Sequence, residues 1–98
     1  YPFNLGISYY TLGRYEEAIE VLEEARTRNE NVVPVRLYLA ASYVHANRLE
    51  DAEWEAEEIQ VLSSTDTLLN LRNTLPIVDK AHLEKLISDL RLAGLPEE

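Results

Sequence analysis

The sequence predicts an all-α fold in which paired antiparallel helices stack as a solenoid that ends in a helical C-terminal cap. Three observations lead to this prediction. Residue types recur at a shift of 34 positions over the first two thirds of the chain, apolar residues fall at helical spacing, and the 98 residues include only four Pro and three Gly. Hydrophobic residues make up 46% of the chain and charged residues 28%, which is ordinary for one small folded domain.

The repeat becomes visible when the chain is aligned with itself, because Tyr9 then meets Tyr43. Gly13 meets Asn47, and both residue types tolerate the left-handed conformation that ends a helix. Each unit is therefore predicted to be two helices joined by a tight turn, and units stack because one alone cannot bury its apolar face. The positions predicted to pack the repeats are Leu5, Gly6, Tyr9, Ala18, Leu39, Ala40, Tyr43 and Ala52.

These residues resemble the tetratricopeptide repeat pattern, W-x2-L-G-x2-Y followed by A-x3-F, A and P. The first unit matches it at Leu5, Gly6, Tyr9, Ala18, Leu22 and Ala25, and the second at Leu39, Ala40, Tyr43, Ala52, Ala56 and Ile59. The chain departs from the pattern at the Trp positions, which hold Pro2 and Arg36, and at the closing Pro positions, which hold Glu30 and Ser64. The resemblance covers about residues 2–64 and implies a non-catalytic module for protein binding.

Apolar residues at helical spacing and helix-breaking residues set the expected boundaries of the helices. The predicted helices span residues 3–12, 15–29, 34–46, 49–62, 68–75 and 80–92. A turn is expected at 29–31, Pro34 suits the first turn of the third helix, and 63–66 reads as a loop.

The last third breaks the repeat, since Asn73 and Thr74 stand where Leu and Gly belong. Thr67 and Asp79 are predicted N-caps, Pro76 is expected to stop the short helix, and Gly94 is expected to end the last one. Terminal units of solenoids are usually atypical because they cover the core. The expected division is therefore two repeats over 1–64 and a capping helical pair over 65–98.

The tail carries a second resemblance. The runs Leu75-Pro76, 79–84 and 90–97 look like the carboxy-terminal end of bacterial class III adenylate or guanylate cyclases that carry tetratricopeptide repeats. The resemblance implies a cytoplasmic parent enzyme whose catalytic domain comes first. The start at Tyr1, without an initiating Met, likewise suggests a piece of something longer.

The family resemblance also implies a groove lined by the first helix of each unit. The matching positions are Phe3, Asn4, Ile7, Tyr10 and Thr11 in the first unit and Leu37, Tyr38, Ala41, Val44 and His45 in the second. Family members that grip carboxylate tails use Lys, Arg and Asn here, and only Asn4 matches. The apolar groove favours a protein or peptide with an apolar segment, or a second copy of the chain. Upstream repeats or the chain's own last helix are alternative covers.

Composition argues against several other functions. A net charge of −9 disfavours nucleic acid and anionic membranes, which attract clustered Lys and Arg. The absence of Cys removes thiolate metal sites and fits a cytoplasmic location. Isolated glycines form no phosphate loop, and His45 and His82 have no ligand-spaced neighbours, so we expect surface or capping roles for them and no catalysis, cofactor or metal.

Two features of the sequence, the acidic residues of the second helices and Trp54, allow more than one interpretation. The acidic residues crowded on the second helix of each unit suit a solvated face, or a docking stripe for a basic partner. Trp54 is expected to be partly exposed, either against the tail or as an interface anchor. A chain with no ligand of its own, serving only as a spacer, is the alternative to an interaction module.

Overall fold

The computed structural model of the chain describes residues 2–28, 33–75, 77 and 79–98. These residues form six helices and no strand. The helices are α1 (Pro2–Thr11), α2 (Tyr15–Arg28), α3 (Val33–His45), α4 (Leu49–Leu62), α5 (Leu68–Thr74) and α6 (Lys80–Ala93). The predicted all-α fold is therefore confirmed, and its helical boundaries fall within one residue of the expected ones wherever both ends are described. The turn at 29–31, Glu30 and the stop at Pro76 lie outside the described residues.

The two hairpins, α1–α2 and α3–α4, repeat each other in backbone detail. Gly13 at φ 80° and Asn47 at φ 60° occupy the left-handed region where the first helix of each pair ends. The Arg14 amide donates to the Tyr9 carbonyl at 2.8 Å, and 34 residues later the Arg48 amide donates to the Tyr43 carbonyl at 2.9 Å. The 34-residue spacing seen in the sequence therefore corresponds to the same turn geometry in both hairpins.

Side chains at the turns follow the same register. The Arg14 guanidinium lies 5.0 Å from the centre of the Tyr9 ring, and Arg48 lies 4.7 Å from that of Tyr43. Each such cation–π pair is worth about 0.5–1 kcal/mol at an exposed site. The same residue types therefore fasten both turns to the helices that precede them.

Close approach of the helices within each hairpin depends on small residues. Ala18 and Ala52 are fully buried at equivalent positions of α2 and α4. A methyl group added at Gly6 would overlap the side chain of Leu22, which is itself fully buried. In the second repeat the positions equivalent to Gly6 and Leu22 hold two alanines, Ala40 and Ala56. At this contact the first hairpin thus pairs the smallest residue with a large one, whereas the second hairpin pairs two alanines.

The C-terminal third is held by caps. The Thr67 hydroxyl accepts from the Asn70 amide at 3.3 Å, and the Asp79 carboxylate accepts from the Ala81 amide at 2.9 Å. Gly94, at φ 109°, ends α6 in the left-handed conformation. All three caps agree with the sequence prediction.

The final residues return to the start of α5. The amides of Leu68 and Leu69 donate to the carbonyls of Pro96 and Glu97, both at 2.9 Å. These bonds satisfy donors that the first turn of a helix leaves without a partner. Helix α6 packs most extensively against α3 and less against α4 and α5, and one hydrophobic core joins it to both hairpins. The division of the chain at residue 64 stays a prediction.

We predict that Gly6→Ala destabilises the chain by about 1–3 kcal/mol, since the added methyl overpacks Leu22. In a Leu22→Ala background the same change should cost less than about 0.5 kcal/mol, because it then recreates the Ala–Ala pair of the second repeat. Urea unfolding followed by circular dichroism measures both values. Equal costs in the two backgrounds would contradict the volume compensation.

Candidate functional site

Helix α6 lies over the groove positions that the sequence singles out. Tyr10, Leu37, Tyr38 and Ala41 are buried, and each is at most 7% exposed. The other groove positions retain solvent contact; Phe3, Ile7 and Val44 are half-buried, whereas Asn4, Thr11 and His45 are exposed. Of the covers considered from the sequence, the chain's own last helix is the one found here. The role of these positions in binding a partner stays a prediction.

Asp89 is the polar centre of the contact between α6 and the groove. Its carboxylate, 4% exposed, accepts from the Tyr10 hydroxyl at 2.5 Å and lies 2.9 Å from Nε2 of His45. A buried carboxylate costs free energy unless it is hydrogen-bonded, and these two partners meet that requirement. The His45 ring also stacks on Tyr15, with ring centres 4.3 Å apart. His45 thereby contacts both α2 and α6.

Lys85 adds a cation to the same contact. Its ammonium donates to the Tyr15 hydroxyl at 2.7 Å and lies 4.2 Å from the centre of the Tyr10 ring. Nearby, Nε2 of His82 lies 3.0 Å from the Tyr38 hydroxyl. The groove tyrosines are therefore contacted by three residues of α6 that are spaced at i, i+3 and i+7, namely His82, Lys85 and Asp89. This spacing places them on one side of the helix.

A second polar network is buried between the hairpins. Glu55 is fully buried and forms ion pairs with Arg36, at 2.8 Å, and with Arg26. Both guanidiniums also lie on the ring of Trp54, at 5.7 and 5.6 Å from its centre. Trp54 itself is 49% exposed, in agreement with the expected partial exposure. Its partners are arginines of α2 and α3.

Asp89 and Glu55 were not among the residues predicted to matter, although each has a local signal in the sequence. Asp89 stands beside Leu90 and three residues after Leu86, on the apolar stripe of α6. Glu55 stands three residues after Ala52, on the face that α4 buries. A carboxylate on the apolar side of an amphipathic helix indicates a buried ion pair or hydrogen bond. The sequence pattern does not identify the residue with which such a carboxylate pairs.

The predicted repeat-packing positions differ between the two units. Ala18, Leu39, Ala40, Tyr43 and Ala52 are at most 2% exposed, and Gly6 is buried as well. Leu5, in contrast, is 45% exposed and Tyr9 is half-buried. The difference arises because α2 packs against α3, whereas no described helix packs against the equivalent face of α1.

That face forms a strip with three exposed residues and the half-buried Tyr9, which we call the α1 stripe: Leu5, Ser8, Tyr9 and Leu12. The spacing of i, i+3, i+4 and i+7 puts all four on one side of the helix, although Leu12 lies just past its last residue. Leu12 is 70% exposed. The equivalent residues of the second unit are Leu39, Ser42, Tyr43 and Ala46, of which the first three are buried.

Burial raises the pKa of three tyrosine hydroxyls. The pKa of Tyr10 is raised by burial and then by its hydrogen bond to Asp89 and the negative charge there. Burial followed by the hydrogen bond to Glu23 raises the pKa of Tyr43. Burial alone raises the pKa of Tyr38. All three therefore favour the neutral phenol in the folded state.

The described residues contain no cluster of His, Asp and Glu suited to hold a metal ion. Within the same part of the chain, no helix is long and apolar enough to cross a membrane.

Compared with protein families, the chain matches the model described as Tetratricopeptide repeat over residues 9–59. This range covers more than half of the chain and both of the repeated turns. No curated protein and no solved structure matches the chain.

The buried tyrosines predict a loss of stability at alkaline pH. A group whose pKa is raised by folding stabilises the fold below its unfolded value, about 10 for Tyr, and this contribution is lost as the pH rises further. The free energy of unfolding should therefore fall as the pH rises above about 10, with Tyr10 contributing up to about 1.4 kcal/mol per pH unit. Urea unfolding at several pH values measures the slope. If Tyr10→Phe leaves the slope unchanged, the burial of this hydroxyl is not its cause.

Proposed function

Because the chain belongs to the tetratricopeptide repeat family, whose repeats generally mediate protein–protein interaction, we propose that it is an interaction module that self-associates through α1. The observation that supports this proposal most directly is the exposure of the α1 stripe. Leu5 is 45% exposed, whereas Leu39, its equivalent in the second repeat, is fully buried. An exposed apolar stripe on a helix favours contact with another helix.

The α1 stripe is complementary to itself. In a two-fold antiparallel arrangement of two α1 helices, Leu5 lies opposite Leu12 of the second copy. Ser8 lies opposite Tyr9 of the second copy, so that a small side chain faces a large one. A two-fold interface needs this property, because the same patch supplies both sides of the contact.

Charge also favours α1 as the place where two copies meet. The chain carries a net charge of −9, so two copies repel each other over most of their surface. Helix α1 contains no charged residue, unlike the other five described helices. Contact at α1 therefore brings the fewest like charges together.

The size of the stripe sets the expected strength of the contact. Ten helical residues span about 15 Å, so an interface limited to α1 falls below the roughly 1,200 Å² of standard protein interfaces. Association should then be weak, with a dissociation constant between about 10 µM and about 1 mM. Salt should strengthen it by screening the repulsion between two acidic copies.

We predict that the chain dimerises over this concentration range in sedimentation equilibrium and that Leu5→Glu combined with Leu12→Glu makes it monomeric. The matched control is Leu92→Glu, which changes a leucine that is 61% exposed on α6. The control should dimerise like the unchanged chain, and circular dichroism should show equal helicity in all variants. A chain that remains monomeric at about 1 mM would refute self-association and favour the spacer role.

We also propose that the parent protein is a bacterial nucleotide cyclase of class III, with this chain as its C-terminal region in the cytoplasm. The support is the resemblance of the runs 75–76, 79–84 and 90–97 to the ends of such enzymes. Several of these residues have a structural role, since Arg91 pairs with Glu97 at 3.2 Å and the Glu97 carbonyl accepts from the Leu69 amide. A terminal cap built this way is consistent with the resemblance.

The parent enzyme provides a separate test. The full-length parent should form a cyclic nucleotide from ATP or GTP, and the activity should depend on two metal-binding aspartates outside this chain. A parent with no such domain and no such activity would exclude the cyclase. That result would not bear on self-association of the present chain, which is tested by sedimentation equilibrium.

A further inference from the structure

The outer face of α4 carries a second exposed apolar feature, separate from α1. Trp54 is 49% exposed and Val61 is 79% exposed. Seven residues separate them, so they lie on the same side of α4 about 10.5 Å apart along the axis. With Glu50, Glu57 and Glu58 around them, they form what we call the α4 surface.

The Trp54 ring is held in place before any partner arrives. The guanidiniums of Arg26 and Arg36 lie 5.6 and 5.7 Å from its centre, and Glu55 pairs with both. A fully buried carboxylate carries a large desolvation cost, so this network is a poor device for stability alone. Its structural effect is to fix a large aromatic side chain that remains half in solvent. Trp is one of the residue types enriched at binding hot spots.

A surface cavity adjoins the ring. Its volume is about 370 Å³, and it is lined by Arg26, Thr27, Arg36, Trp54 and Glu58. This space is sufficient for one large aliphatic or aromatic side chain. An apolar side chain inserted here would cover the exposed part of Trp54.

The charges on α4 define the chemistry of the partner. Helix α4 has six acidic residues and no basic one. In the described part of the chain, Glu55 and Asp51 are ion-paired, whereas Glu50, Glu53, Glu57 and Glu58 are not. The helix dipole favours acids in the first turn, which accounts for Glu50 but not for the three others. Unpaired carboxylates therefore flank Trp54 and Val61 on both sides.

We propose that the α4 surface binds a basic amphipathic helix of a protein partner. The partner helix would place two apolar side chains one heptad apart, on Trp54 and Val61, and Lys or Arg on either side opposite the unpaired glutamates. Arg26 and Arg36 share the charge of Glu55, so together with the four unpaired glutamates they leave the surface net negative. A net negative surface favours a cationic protein segment over nucleic acid phosphates and anionic lipids, which carry the same sign. This surface goes beyond the proposed self-association, because α1 takes no part in it.

Trp54 provides the readout, since it is the only Trp in the chain. The probe is an acetylated and amidated helical peptide of Leu and Lys, free of Trp, with Leu at heptad spacing; a peptide with Glu in place of Lys is its control. The Lys peptide should shift the emission of Trp54 to shorter wavelength and protect it from acrylamide. The dissociation constant should rise with salt, as expected for attraction between unlike charges. The Glu peptide should have no effect.

Charge-reversing variants locate the contact. Glu57→Lys combined with Glu58→Lys should weaken binding of the Lys peptide at least about tenfold. The matched control is Glu16→Lys combined with Glu20→Lys on α2, two exposed glutamates that have no ion pair among the described residues. This control should change the affinity less than about threefold.

Four outcomes would overturn the proposal. The first is an unchanged Trp54 emission at millimolar Lys peptide, and the second is an equal effect of the Glu peptide. The third is an equal loss of affinity in both charge-reversed variants, which would indicate general attraction to an acidic chain. An emission shift caused by protein concentration alone would assign the surface to a second copy and would also count against a basic partner.

Discussion

The packing of α6 against α3 is the contact on which the rest of the structure depends. It makes α3 the central helix, with every residue from 35 to 43 buried. It places Asp89 within reach of Tyr10 and His45, so that α6, α1 and α3 meet around one carboxylate. It also fills the groove that a tetratricopeptide array ordinarily presents. The α1 stripe and the α4 surface therefore lie outside the covered groove.

The repeats could be predicted from the sequence because their signals are local and occur twice. Gly13 and Asn47 mark the turns, and Ala18 and Ala52 mark the close approach of two helices. The sequence left the last helix as one of several possible covers of the groove, since the amphipathic pattern of α6 fits any apolar surface of the right width. The pairing of Tyr10 with Asp89 spans 79 residues and depends on that position. The exposure of Leu5 follows from the stacking of the hairpins, which the residue types alone do not reveal.

The two proposed surfaces differ in chemistry, and this keeps them from competing. The α1 stripe is uncharged and meets an identical surface, whereas the α4 surface is acidic and meets an unlike one. Salt acts on them in opposite directions, because it screens repulsion in one contact and attraction in the other. A chain with both surfaces could join two copies of itself and present a docking face on each.

The covered groove has a consequence for the order in which the chain folds. Tyr38 and His82, which meet across it, are 44 residues apart, so the ribosome needs about 2–9 seconds to make the second after the first. Helical hairpins form far faster than that. Until α6 has been made and has packed, Tyr10 and Tyr38 therefore lack the partners that Asp89 and His82 supply. Chaperones or partners that act on the nascent chain meet a surface that the finished protein keeps closed.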